Sequence, residues 1–183
     1  AAAGGVGMAA VQLAQRAGAE VFATAGSPAK RALLTSLGVR HVLDSRSLAF
    51  ADEILRLTDG AGVDVVLNSL AGEYIDAGVR SLARGGCFLE LGKRGVLSAQ
   101  HFAQRRPDGR YCVYDLGERL EAQPELAHEL LRALMTALRD GSLRPLPVRV
   151  FVAADVGDAL RHMAQAQHVG KLVLRFPGAA GER

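Results

Sequence analysis

A glycine-rich turn opens the chain, Ala2-Ala3-Gly4-Gly5-Val6-Gly7-Met8. A turn of this kind running into a helix suits the pyrophosphate of a dinucleotide. Gly4 lets backbone approach phosphate closely, and Gly7 lets the helix lie against a sheet. Gly5 and Val6 complete the turn, and the helix start adds free N–H groups and the positive end of its dipole. The fingerprint is incomplete, because Ala2 stands where the first glycine of G-x-G-x-x-G belongs. The strand that should feed the turn is not in the sequence. An ordinary glycine-rich helix start is the competing reading of the turn alone.

About 20 residues beyond the turn, a dinucleotide site of the NAD type carries an acid for the ribose hydroxyls. Here the sequence reads Ala23-Thr24-Ala25-Gly26-Ser27-Pro28-Ala29-Lys30-Arg31, with no acid. Ser27 can hydrogen-bond a phosphate, and Lys30 and Arg31 can pair with a dianion, which an acid would repel. These residues favour NADPH over NADH, against the plainer reading of a solvated helix face. Further on, Asn68-Ser69-Leu70, Gly92-Lys93 and Asp115 each follow an expected strand. In an open α/β sheet, ligands bind beyond the carboxyl ends of the strands. Were these three strands neighbours, the loops would open on the same edge as the glycine turn, bringing an ammonium and a carboxylate near a bound nicotinamide. Position alone leaves Lys93 open as a surface lysine and Asp115 as a turn or capping residue.

Metal chemistry finds no support in the spacing. His41, His101, His128, His162 and His168 have no defensible ligand spacing with one another or with an acid. Cys87 and Cys112 form no C-x-x-C, so neither structural zinc nor a disulfide framework is expected. No G-x-S-x-G and no Cys–His pairing stands out.

The elements that must position these residues alternate. Helical spacing runs over 5–18, stopped by Gly18, and a short strand is expected at 21–25. Ser27 and Pro28 open a helix over 28–37, followed by a strand at 41–43 and a helix over 48–58. The run 63–67 is apolar apart from Asp64 and reads as a strand buried on both faces. A helix at 73–83, strands at 87–91 and 110–114, and a long helix at 124–140 follow. A strand at 148–152, a helix over 155–167 and a strand at 171–176 finish the chain. Such alternation with short loops predicts an α/β fold with a doubly wound parallel sheet, covered on both faces and joined by right-handed crossovers.

The 183 residues suffice for one domain or slightly more, and 49% hydrophobic with 22% charged residues is the composition of a globular protein with a real core. Aromatic residues are only 5% and Trp is absent, which argues against a stacking platform for nucleic acid. The net charge of +3 comes from scattered arginines rather than a basic run. No signal peptide or long apolar span is evident, so a membrane role is not expected and a cytoplasmic location follows by default.

The run from Ala3 to Ala14 resembles the cofactor loop of medium-chain dehydrogenase/reductases, and more narrowly the enoyl reductase domain of modular type I polyketide synthases, similar to that of fatty acid synthase. Phe22-Ala23-Thr24-Ala25-Gly26-Ser27, Asp64-Val65-Val66-Leu67-Asn68-Ser69-Leu70, Phe88-Leu89-Glu90-Leu91-Gly92-Lys93 and the closing Ala164-Gln165-Ala166-Gln167-His168-Val169-Gly170-Lys171 fit the same group.

The resemblance implies a Rossmann-type cofactor half at 1–140, a segment at 141–176 that returns to a β-rich N-terminal lobe, and a linker at 177–183. That lobe and the first strand lie outside this sequence. The implied reaction is NADPH-dependent reduction of an α,β-unsaturated acyl thioester on the phosphopantetheine arm of an acyl carrier protein. Hydride adds at the β carbon and a proton at the α carbon. The proposed proton donors of the family match Lys93 and Asp115, and the thioester accepts charge without a metal. The cofactor residues carried over are Gly4, Gly5, Val6, Gly7, Ser27, Lys30, Arg31, Asn68, Ser69, Leu70 and Gly92. Partners implied are the carrier protein, other domains of the same synthase and a second copy in a homodimer. A half-domain is expected to bind NADPH yet reduce substrate poorly. A free-standing zinc-independent NADPH:quinone reductase and a non-catalytic dinucleotide-binding module are the alternatives.

Overall fold

The structure, a computed structural model, describes residues 2–93 and 95–178. It has an α/β architecture, in which the strands at 63–68, 82–90 and 110–113 run parallel to one another, as do those at 148–152 and 171–175. The chain divides into two compact units, Ala1–Val42 with Leu134–Arg183, and Leu43–Ala133. No helix among the described residues is long and apolar enough to cross a membrane.

In the first unit, α1 (Gly5–Arg16) leads to β1 (Phe22–Ala25), α2 (Pro28–Ser36) and β2 (His41–Asp44), which pairs with β1. Residues 2–4 precede α1 as a turn, with Gly4 in an isolated parallel bridge to Gly170. Ala2 N–H donates to the Thr24 carbonyl at 2.7 Å, and the Ala3 carbonyl accepts from Gly170 N–H at 3.0 Å. Ala3, Ala23 and Ala25 are small enough for α1 and α2 to close over them, and with Val11, Leu34 and Val39 they form a buried core. The unit also holds β6 (Val148–Val152) and β7 (Lys171–Arg175), paired in register from Val148 opposite Lys171 to Val152 opposite Arg175. A short 3₁₀ turn (Ala153–Asp155) and α8 (Val156–Ala164) join them.

The second unit is built on β3 (Val63–Asn68), β4 (Leu82–Glu90) and β5 (Arg110–Val113), neighbours in that order and all parallel. Pairing sets Val66 beside Phe88 and Phe88 beside Tyr111, so this row faces the helices α4 (Glu73–Arg80) and α5 (Ala99–Arg105). Phe88, Phe102, Ile75, Val79 and Leu82 form its buried core, with Val66, Leu97 and Tyr111 packed against it. The remaining helices are α3 (Phe50–Leu57), α6 (Leu116–Ala122) and α7 (Glu125–Arg139), the last running on into the first unit.

Three features depart from the sequence reading. The strand at 63–67 is not buried on both faces: Val65 is 60% and Leu67 43% exposed, because α4 and α5 cover only the Val66 side in this chain. Second, β4 begins at Leu82, not Cys87, with a register shift between Val63 and Val65 opposite it. The Gly85-Gly86 pair reads as a break in sequence, yet a positive φ of 72° at Gly85 lets the strand pass through an irregularity. Third, the sequence pattern does not predict α5 and α6. Ser98 and Asp115 cap them by accepting from the N–H groups of His101 and Gly117, but α6 buries no residue and so shows no apolar period. Of the linker expected at 177–183, residues 179–183 lie outside those described.

Candidate cofactor and active site

The glycine turn lies in the first unit. Gly4 is the N-cap of α1 and brings no side-chain acceptor; its carbonyl takes the first helical bond, from Met8 N–H at 2.9 Å. The first turn of α1 contains no acid, so nothing there competes with a bound anion for the N–H groups. A Cβ on Gly5 would meet the side chain of Lys171 at 2.7–2.9 Å. Lys171 therefore lies over the turn, a cation whose place depends on the return of β7 and which the sequence reading did not assign to the site.

At the end of β1, Ser27 caps α2, its hydroxyl oxygen accepting from Lys30 N–H at 3.3 Å. Lys30 Nζ donates to the Ala166 carbonyl at 2.5 Å, and Arg31 Nη1 to the Ala25 carbonyl at 3.1 Å. Both cations are thus held at the β1 end. His168 Nδ1 is buried with no hydrogen-bond partner among the described residues. Burial pushes the His168 imidazole pKa down, and the charges of Lys30 and His162 add to this. A glycine turn with no side-chain cap and no acid in the first helical turn, together with two cations at the end of β1, could hold the phosphates of a dinucleotide.

The second unit carries the strand-end loops. Because β3, β4 and β5 are parallel neighbours, Asn68-Ser69-Leu70, Gly92-Lys93 and Asp115 all emerge from one edge of one sheet. Asn68 is buried at the end of β3; its Nδ2 donates to the Leu70 carbonyl at 2.8 Å, and its Oδ1 accepts from Leu70 N–H at 3.2 Å. Ser69 projects exposed between them. Asn68 Nδ2 also donates to Glu90 Oε2 at 2.7 Å, and Gly92 N–H donates to Glu90 Oε1 at 2.6 Å.

Lys93 Nζ and Asp115 Oδ2 are 2.7 Å apart, with the Lys93 side chain 76% and that of Asp115 26% exposed. The other Asp115 oxygen accepts from Gly117 N–H at 2.8 Å. Asp115 is therefore both a helix cap, as one sequence reading had it, and an ion-pair partner of Lys93. Its carboxyl is held below the ordinary range by the hydrogen bond from Lys93, then by the Gly117 N–H. Lys93 is raised in turn, chiefly by its hydrogen bond to Asp115. At neutral pH the pair is an ammonium held by a carboxylate, able to meet negative charge and to give up a proton. Glu90, in contact with both Asn68 and Gly92, carried no signal of its own in the sequence.

Among the described residues no group of three or more His, Cys, Asp or Glu side chains is placed to hold a metal ion. Cys87 and Cys112 are free thiols with their sulfurs 3.9 Å apart.

Comparison with known proteins then bears on the site. A family model described as zinc-binding dehydrogenase matches residues 5–113. The zinc of that description has no ligand set among the described residues. A phenolphthiocerol/phthiocerol polyketide synthase of Mycobacterium tuberculosis is 51% identical over 178 residues, 96% of this chain but 8% of that protein. The crystal structure of CurK enoyl reductase superposes with a TM-score of 0.91 at 49% identity, covering 96% of this chain and 53% of that one. The nucleotide-binding subdomain of the enoylreductase domain of PpsC from Mycobacterium tuberculosis matches at 50% identity and a TM-score of 0.69, covering 78% of this chain and 81% of that one. The chain thus spans under a tenth of the synthase and about half of the CurK reductase.

Proposed function

Since the chain belongs to the zinc-binding dehydrogenase family, among the enoyl reductases of polyketide synthases, and carries their nicotinamide-dinucleotide fold, we propose that it is the cofactor half of an NADPH-dependent enoyl-thioester reductase. The observation that carries this reading is the Lys93–Asp115 pair at 2.7 Å, on the same sheet edge as the Asn68–Leu70 loop. A bound NADPH supplies hydride for the β carbon of the substrate.

The residues of the chain do the rest. Gly4, Gly5, Val6 and Gly7 hold the pyrophosphate through backbone N–H groups, with Lys171 over the turn as a counter-charge. Ser27, Lys30 and Arg31 bind the 2′-phosphate. Asn68, Ser69, Leu70 and Gly92 border the dinucleotide through loop backbone. Lys93 meets the negative charge that develops on the thioester oxygen and delivers a proton to the α carbon. Asp115, an ionised carboxylate with both oxygens engaged, orients Lys93 and keeps it protonated; it is not itself the donor.

Residues 1–140 hold the cofactor on this reading, and 141–176 return toward an N-terminal lobe. The substrate is an enoyl group on the phosphopantetheine arm of an acyl carrier protein. Other domains of the same synthase, and a second copy of the chain, are the partners, in the cytoplasm.

Fluorescence titration with NADPH and NADH tests the cofactor assignment. At least tenfold tighter binding of NADPH is expected, and equal affinity removes it. Turnover of a crotonyl-pantetheine thioester, followed by loss of NADPH absorbance in a reductase that includes this chain, tests the chemistry. Reduction of quinones with none of the thioester would replace this reading with that of a quinone reductase.

A further inference from the structure

Glu90 is the only charged residue fully buried among those described, 1% exposed at the end of β4. A carboxylate in such a place costs heavily unless its oxygens are hydrogen-bonded. Here each oxygen has a donor, and the donors come from different loops: Asn68 Nδ2 from the end of β3 at 2.7 Å, and Gly92 N–H from the loop after β4 at 2.6 Å. The backbone of the same residue reaches the third loop, its carbonyl accepting from Tyr114 N–H at 2.9 Å, one residue before Asp115. Leu91 N–H in turn donates to the Asn68 carbonyl at 2.8 Å. Gly92 is shaped around the carboxylate, since a Cβ there would lie 2.7 Å from Glu90 Oε1.

We propose that Glu90 is a positioning residue: its buried carboxylate ties the Asn68–Leu70 loop to the Gly92–Lys93 loop and so sets where Lys93 stands relative to Asp115. The role presumes the cofactor and proton-donor assignments made above, but the link itself does not. Two independent loops would each sample several conformations; a single acceptor shared between them removes that freedom before ligand arrives. Glu90 touches neither substrate nor cofactor and acts through the residues it holds.

Glu90→Gln tests this with almost no change of volume. Gly92 and Asn68 each donate to a different oxygen of Glu90; a glutamine puts an oxygen at one of these positions and an NH2 group at the other, so one donor would face a donor. We expect the Gly92 amide and Lys93 side-chain resonances to move in NMR spectra of the chain, exchange at the Gly92 and Leu70 amides to rise at least tenfold, and NADPH affinity to fall about tenfold. Ile75→Val thins the same core away from the loops and serves as control, lowering stability with affinity unchanged.

A folded Glu90→Gln chain with unmoved resonances overturns the proposal, and so do moved resonances with unchanged NADPH affinity. Should the variant not fold, fast exchange of the Gly92 amide in the wild-type chain overturns it, and exchange as slow as in β4 supports it. A wild-type chain that binds neither NADPH nor NADH sinks the cofactor assignment instead, and the amide exchange still reports on the link.

Discussion

Replacing Gly92 by alanine puts a number on the contact between this loop and the buried carboxylate. The new methyl would sit 2.7 Å from Glu90 Oε1 and 3.4 Å from its Cδ. Retreat is restricted, because the other oxygen is held by Asn68 at 2.7 Å and the side chain is buried. Relief therefore means losing the 2.6 Å bond from the residue 92 N–H, a hydrogen bond to a charged group worth about 1.5–3 kcal/mol. Gly92 is not among the glycines with positive φ, so alanine carries no backbone strain and gains about 0.4–1 kcal/mol by restricting the unfolded chain.

The balance is a destabilisation of about 1–2 kcal/mol, or a melting temperature lower by roughly 2–8 °C in a chain of this size. Thermal unfolding followed by circular dichroism at neutral pH reads it. In a Glu90→Ala background both the clash and the hydrogen bond are absent, and the same substitution should stabilise by about 0.4–1 kcal/mol through restriction of the unfolded chain. An alanine variant that melts at or above the wild-type temperature, or an equal penalty in both backgrounds, would refute the steric argument.

Other outcomes are expected together with this one. Gly170→Ala places a methyl against the Pro147 carbonyl at a φ of 63°; its cost in urea denaturation should exceed the about 1–2 kcal/mol of left-handed strain alone, and the Gly170–Ala3 bond beside the glycine turn should open. Lys30→Ala with Arg31→Ala should weaken NADPH binding at least tenfold and leave NADH binding within about threefold, as measured by fluorescence titration. Arg106 donates to the Leu82 and Ala83 carbonyls at 2.5 and 2.9 Å, so Arg106→Ala should cost about 2–4 kcal/mol by urea denaturation; under 0.5 kcal/mol would contradict it.

Asp115→Asn keeps the α6 cap but removes the charge, and the Lys93 pKa, followed by NMR of its side chain, should fall toward the ordinary lysine value. The pH dependence of the pair has a definite sign. The depressed Asp115 pKa stabilises the fold above the unfolded aspartate value, and this is lost only as pH falls through the depressed value. The raised Lys93 pKa contributes below the ordinary lysine value and is lost as pH rises through the raised one. Lys93 side-chain resonances constant from pH 5 to 9 are expected.

Much of the strand and helix order was legible because local rules govern it. Ser27-Pro28 opens α2, Gly18 follows α1, and apolar runs fill the strands. The edges were less legible. Gly85-Gly86 broke the pattern of β4, since only the partner strand shows that the irregularity is paired through. Ser98 and Asp115 are ordinary N-cap residues, but helices of seven residues with little or no buried face leave no period to detect. Val65 and Leu67 read as doubly buried because residue type reports hydrophobicity and not which face a neighbour covers.

For the site the division is sharper. Sequence by itself determined the chemistry on offer: a glycine turn without competing acids, cations where an acid would select NADH, and Lys93 and Asp115 after successive strands. Residue type and short spacing carry that information, since turns, caps and charge are local properties. Tertiary structure decided which of these groups meet. The parallel order of β3, β4 and β5 brings three loops to one edge and sets Lys93 against Asp115 across 22 residues of sequence. It also placed Lys171 over Gly5 and buried Glu90 between Asn68 and Gly92. A lysine in a terminal strand and a glutamate in an apolar one look unremarkable until strand register fixes what lies beside them, because hydrogen bonds between distant segments depend on pairing that no local window contains.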